Sequence, residues 1–245
     1  MSQVVEFKSV SLSFKNRMIL DDVSFLLPLD KISLLIGKSG AGKTSILRMI
    51  TGQLKPTAGC VVVNNEAFNY KNKKSVYNLR KNIGMVFQSG ALFSDLTVAE
   101  NVSLPLQEHA DFGVEKIHQL VNDALQAVDL ADAGNLYPWE LSGGMVKRAA
   151  IARAGILQPK LMLYDEPLAG QDPVTAAKLI NLIKKRTGPA LIVSHNISIM
   201  LKLVDYIIML DQGKLLFAGT KEQILACETE KVKSFVRPVE GNLGW

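Results

Sequence analysis

Residues 32–45 read Ile-Ser-Leu-Leu-Ile-Gly-Lys-Ser-Gly-Ala-Gly-Lys-Thr-Ser. The first five form the near-continuous apolar run of a strand buried on both faces. Residues 37–44 then fit G-x-x-x-x-G-K-[ST], and Gly52 closes a helical stretch over 43–51. Strand, glycine-rich loop and helix in this order describe a phosphate loop. Gly37, Gly40 and Gly42 let the backbone curl, so that N–H groups from Lys38, Ser39, Ala41 and Ser45 can turn toward phosphate oxygens. The helix start adds its partial positive charge. Lys43 is placed to reach the β- and γ-phosphates of a nucleotide such as ATP, and Thr44 offers a hydroxyl to Mg²⁺.

Downstream, Leu161 to Glu166 read as an apolar strand ending in two carboxylates. Asp165 can hold Mg²⁺ through its water shell, and Glu166 can orient or deprotonate an attacking water. Shortly before it, Leu-Ser-Gly-Gly-Met at 141–145 opens a basic helix carrying Lys147, Arg148 and Arg153. Ser142 is a helix cap, and Gly143 and Gly144 permit close backbone approach to an anion.

Around these motifs the chain alternates strands and helices. Residues 4–14 and 19–28 read as strands about a turn at Lys15-Asn16, and further strand signals lie at 60–64, 83–87, 161–165 and 190–194. A hairpin over 206–219 turns at Gln212-Gly213. Residues 90–157 read as helical. Thr97 caps one helix, and Ile117, Leu120, Val121, Ala124, Leu125 and Val128 give another an apolar stripe. Ala176, Leu179, Ile180 and Ile183 mark a helix between the two later strands. The pattern predicts an α/β fold with a parallel sheet and an inserted helical block.

With 48% hydrophobic and 21% charged residues, the 245-residue chain can bury a substantial core. The net charge of +5 is not gathered into a long basic stripe, which argues against a nucleic-acid binder. Lys71, Lys73, Lys74, Arg80 and Lys81, and then Lys184, Lys185 and Arg186, read as solvated patches, with an anionic membrane surface or a partner as the other use. Cys60 and Cys227 lie outside any metal-ligand spacing and read as reduced thiols. Neither a signal peptide nor an apolar stretch of about 18 residues is found, so a transport role would need another chain to cross the membrane.

Taken together, the ordered motifs resemble the nucleotide-binding domain of ABC ATPases over essentially the full length. The resemblance implies a P-loop NTPase core with a mixed, largely parallel sheet, an N-terminal antiparallel β part and an inserted helical sub-domain. The core falls on 1–89 and 158–230, the helical sub-domain on 90–157 and a tail on 231–245. Gly37 to Thr44 look like Walker A, Leu161 to Asp165 like Walker B with Glu166 as catalytic glutamate, and Leu141 to Met145 like the signature motif. Gln88 matches the Q-loop glutamine, which senses Mg²⁺ and water. His195 matches the switch histidine, Phe14 the aromatic that stacks on adenine, and Ala169 to Asp172 the D-loop. Core packing for Phe14 and an ordinary surface histidine for His195 stay open. The family works as a dimer in which Ser142, Gly143 and Gly144 of one copy would meet the nucleotide of the other. Met145, Gln171 and Asn196 depart from the usual residues but remove no phosphate ligand.

Phe87 to Phe93, Asn101 to His109, the signature and Ala169 to Pro173 are similar to the Mla-type (MlaF-like) phospholipid-transport ATPases. That resemblance implies an MlaE-like permease, an MCE-domain MlaD-like protein and a STAS-domain MlaB-like protein as partners at the cytoplasmic face of an inner membrane. A permease would be met through 88–106, where Ser89-Gly90 reads as flexible and Ala91, Leu92 and Phe93 as exposed or packed into the sub-domain. The alternatives are the ATPase of a small-solute importer and a soluble ABC ATPase of iron–sulfur assembly. The interval between Lys43 and Asp165 is too short for the long coiled coil of DNA-maintenance members.

Overall fold

A computed structural model of the chain describes residues 4–15, 17–63, 66–109, 111–186, 188–195 and 197–240. In chain order the elements are β1 (Val4–Phe14), β2 (Arg17–Pro28), β3 (Ile32–Gly37), α1 (Lys43–Ile50), β4 (Ala58–Val63), β5 (Glu66–Ala67), α2 (Lys73–Lys81), β6 (Ile83–Val86), α3 (Val98–His109), α4 (Val114–Ala127), α5 (Gly143–Gly155), β7 (Leu161–Asp165), α6 (Pro173–Lys185), β8 (Ala190–Val193), α7 (Ile197–Met200), β9 (Tyr206–Asp211), β10 (Lys214–Thr220), α8 (Lys221–Leu225) and α9 (Glu230–Glu240). They divide into two compact units, 1–80 with 188–245, and 81–187.

In the first unit, β2, β1, β4 and β5 form an antiparallel sheet in that order. Strand β1 buries Val5 and Phe7, then Val10 and Leu12. The change of parity is a bulge: pairing with β2 shifts between Phe7 and Val10, and Ser9 takes φ 47°. The central strand β3 pairs in parallel with β8 on one side and β9 on the other, and β9 runs antiparallel to β10. Gln212 and Gly213 both take positive φ at the β9–β10 turn, as a two-residue hairpin requires. Ile46, Leu47, Met49 and Ile50 bury one side of α1.

In the second unit, β6 and β7 pair in parallel. The expected stripe on α4 buries Val121 and Leu125. Thr97 and Glu100 cap α3 reciprocally: the Thr97 N–H donates to Glu100 Oε2 at 2.7 Å, and the Glu100 N–H donates to Thr97 Oγ1 at 3.3 Å. Leu179 and Ile183 anchor α6. Helix α2, absent from the sequence reading, fully buries no residue; Val76 and Leu79 are half-buried among mostly polar neighbours, an apolar face too short to announce it. Among the described residues no helix is long and apolar enough to cross a membrane.

Candidate nucleotide site

The phosphate loop, Phe14 and His195 belong to the first unit; Gln88, the signature, Asp165, Glu166 and Asp172 belong to the second. Between β3 and α1 the loop folds on itself, with the Ala41 N–H donating to the Lys38 carbonyl at 3.1 Å. Lys43 Nζ donates to the Gly37 and Lys38 carbonyls at 2.7 and 3.1 Å, which holds the ammonium inside the curl. Gly42 caps α1 at φ 101° and offers no side-chain acceptor to its first turn. A Cβ on Gly37 would come within 2.5 Å of the Leu210 carbonyl, so the loop entrance tolerates no side chain. Thr44 is exposed and Ser45 half-buried. Lys38 Nζ lies 6.0 Å from the centroid of the Phe235 ring, which brings α9 to the loop.

His195 follows β8 directly. Leu35 pairs with Val193, so the chain reaches His195 at the level where β3 becomes the loop. The histidine is exposed; Asn196 lies outside the described residues. Phe14 ends β1 with 50% of its surface exposed, which rules out core packing in this unit.

In the second unit, the register Val86↔Tyr164 puts Gln88 and Glu166 side by side, each two residues past the paired strand ends. Gln88 is exposed, while Asp165 and Glu166 are half-buried. Glu166 holds φ 47°, a left-handed conformation rare for a residue with a side chain, and its carbonyl accepts from the Ala169 N–H at 3.2 Å. Burial raises the Tyr164 hydroxyl to a pKa of about 12, with Arg186 pulling it back.

Ser142 caps α5 by accepting from the Met145 N–H at 3.3 Å. A Cβ on Gly144 would meet Thr175 Cγ2 at 2.6 Å, whereas Gly143 has only Gln171 Nε2 near it, at 3.7 Å. Asp172 caps α6, accepting from the Val174 and Thr175 N–H groups at 3.0 and 3.1 Å. A hydrogen bond from the Thr175 side chain, and after it the Thr175 N–H, lower its pKa.

Two expectations are corrected, for Arg186 and for Ser89-Gly90. The three cations of the basic helix α5 also find their partners within this unit. Lys147 is buried; Arg148 donates to the Val128 and Asp129 carbonyls; Arg153 donates to the Ala91 and Gly90 carbonyls at 2.8 and 3.0 Å. Backbone carbonyls left over by loops attract these groups, and sequence spacing does not reveal such partners. Likewise Arg186 donates to the Pro159 carbonyl at 2.7 Å and leaves the solvated patch assigned to it. Nor is Ser89-Gly90 loosely held, since Arg153 grips the Gly90 carbonyl. The fully buried Asn101 carboxamide accepts from the Phe93 N–H and donates to the Phe93, Leu96 and Thr97 carbonyls. On this anchored segment Phe93 remains 55% exposed.

Comparison with known proteins identifies the family and the fold. The family described as ABC transporter matches residues 20–169. The chain is 38% identical over 239 residues to the intermembrane phospholipid transport system ATP-binding protein MlaF of Escherichia coli (strain K12), covering 96% of this chain and 89% of that relative. It is 35% identical to a probable ribonucleotide transport ATP-binding protein, mkl, of Mycobacterium leprae (strain TN), covering 96% of this chain and 69% of the relative. A solved dimeric structure of the ATP-binding cassette MJ0796, in a post-hydrolysis state bound to ADP and Pi, superposes with a TM-score of 0.81 at 29% identity. It covers 89% of this chain and 98% of that one. Phosphate loop, acidic strand end, signature and fold lead to one conclusion: the chain belongs to the ABC transporter family, as a subunit that binds and hydrolyses ATP.

Proposed function

We propose that this ATPase powers phospholipid movement between the inner and outer membranes of a Gram-negative envelope, as a homodimer bound to an MlaE-like permease with MlaD-like and MlaB-like partners. It would lie on the cytoplasmic face of the inner membrane and touch the bilayer only through those subunits. The observation that carries the cargo reading is the 38% identity to the MlaF protein across nearly the whole of both chains. In this reading, residues 1–89 and 158–230 form the nucleotide-binding core and 90–157 the helical sub-domain that bears the signature. The tail spans 231–245.

Phe14 stacks on adenine, and the N–H groups around Lys38, Ser39, Gly40, Ala41, Gly42, Thr44 and Ser45 hold the phosphates. The exposed Thr44 hydroxyl, the Gln88 amide oxygen and the half-buried Asp165 carboxylate are hard oxygen donors of the kind Mg²⁺ prefers. When bound there, Mg²⁺ neutralises charge on the β- and γ-phosphates. Glu166 takes the proton of, or orients, the attacking water; Gln88 beside it positions that water; His195 contacts the γ-phosphate. Ser142, Gly143, Gly144 and Asp172 of one copy complete the site of the other, so nucleotide joins the two copies and hydrolysis releases them. The dimeric MJ0796 cassette supports this arrangement.

The test is genetic and chemical. Deletion of the gene is expected to let phospholipid accumulate in the outer leaflet of the outer membrane and raise detergent sensitivity. Complementation should require Lys43 and Glu166. The mkl relative favours a second reading, import of a small solute. A deletion strain that keeps its lipid asymmetry but loses uptake of a solute such as a ribonucleotide would overturn the lipid reading and leave the ATPase assignment standing.

A further inference from the structure

Lys147 is the one charged side chain among the buried residues of the described chain, at 4% exposure, and no catalytic reading of the motifs uses it. It extends from α5, five residues past Ser142, and its ammonium donates to the carbonyl of Gln88 and, at 3.4 Å, to the carbonyl of Glu166. These carbonyls belong to different loops, one after β6 and one after β7, which the register Val86↔Tyr164 brings level. We propose that Lys147 is a positioning residue for hydrolysis, a buried tie from the signature helix that sets the backbone of Gln88 against that of Glu166.

The inference rests on the reading of Glu166 and Gln88 as the water-handling pair. Its own support is geometric. Glu166 is held at φ 47°, where a residue with a side chain is strained and stays only if its surroundings over-determine it. The Glu166 carbonyl accepts from the Ala169 N–H at 3.2 Å and from Lys147. Together they fix the peptide that aims the Glu166 side chain. An ammonium suits this task because it carries three donors and no acceptor. Burial lowers the Lys147 pKa, and the carboxylates of Asp165 and Glu166 oppose that shift.

Gly143 stands four residues before Lys147 on α5, hence on the same helix face. A displacement of the signature end of α5 is therefore carried by Lys147 to both catalytic loops at once. In the proposed dimer this links engagement of one copy's signature with the partner's nucleotide to the set of its own glutamate.

The experiment compares Lys147→Met, Lys147→Arg and Lys147→Gln in the full chain assembled with its membrane partners. Lys147→Met keeps the length and removes the charge. Since the Gln88 and Glu166 carbonyls lose their lysine donor, and a buried group left unpaired is destabilising, its melting temperature should fall modestly, and turnover is measured well below it. We expect kcat to drop about 10–100-fold, the scale of a small misplacement of a reacting group, with KM for ATP and binding of a fluorescent ATP analogue within about twofold of the parent. Lys147→Arg should recover part of kcat. In a Glu166→Gln background, Lys147→Met should add no further loss, because both act through one residue. An unchanged kcat in Lys147→Met, a fall in kcat only in step with melting temperature, or an additive loss in the double variant would each overturn the proposal. Lys147→Gln provides the same readout if Lys147→Met is not recovered folded. Normal turnover in Glu166→Gln alone would instead bring down the underlying assignment of the glutamate.

Discussion

Glu166 concentrates more constraints than any other residue of the proposed site: the end of a buried strand, a neighbouring carboxylate, a left-handed backbone and a carbonyl held from two sides. General-base positioning contributes typically about 10²–10⁴-fold in rate. Glu166→Gln should therefore lose turnover by about that factor while still binding ATP, measured as phosphate release beside equilibrium binding of a fluorescent analogue. Lys43→Ala should weaken the binding itself, since the loop loses the cation that its own carbonyls hold in place. Gly144 makes a steric prediction. Its Cβ position is 2.6 Å from Thr175 Cγ2, and overpacking of that kind costs about 1–3 kcal/mol. Gly144→Ala should lower the melting temperature accordingly and depress ATPase activity, whereas Gly143→Ala should be sterically tolerated.

At the level of elements, α3 and α5 are joined to the segment after β6 by polar groups rather than by apolar packing alone. Asn101 satisfies four backbone groups of residues 93–97 and is fully buried. Removing a partner from a buried backbone group costs about 1–3 kcal/mol for each group left unpaired. Asn101→Ala should therefore speed amide hydrogen exchange across 89–97 well before it affects β3 or α1. Protection unchanged in that segment would show that the asparagine is not its anchor. Ser142→Ala should cost α5 about 1 kcal/mol through loss of its cap, read as a lower melting temperature without nucleotide. The stripe of α4 and the caps at Thr97 and Ser142 were legible in the sequence, because periodicity and capping act within a few residues. Helix α2 was not, because its apolar face is only Val76 and Leu79, both half-buried, in an otherwise polar segment.

For the molecule as a whole, no described helix is long and apolar enough to cross a membrane, and the proposed transport role therefore rests on contact with a permease. Phe93, 55% exposed on a segment anchored by Asn101 and Arg153, is the docking point we propose for the permease of this reading. Burying such a side chain at an interface is worth about 1.5–3 kcal/mol. Phe93→Ser should reduce co-purification with the permease, or stimulation by it, while ATP binding persists. Equal recovery of the complex would remove Phe93 from that surface.

The sequence by itself determined the glycine-rich loop between a buried strand and a helix, the acidic strand end, the helix capped by Ser142 and the order of the main strands and helices around them. Each of these is written in spacing: glycines where a backbone must curl, apolar runs where a strand is buried, a capping residue where a helix starts. The tertiary structure alone decided which cations serve water and which serve the fold. Arg186 reads as a solvated charge and Lys147 and Arg153 only as part of a basic helix, yet their partners are carbonyls 19 to 63 residues away along the chain. It also decided that Gln88 and Glu166 stand level and that Glu166 is strained. Strand register and loop closure are settled by pairing between distant segments, and no local pattern of residue types records them.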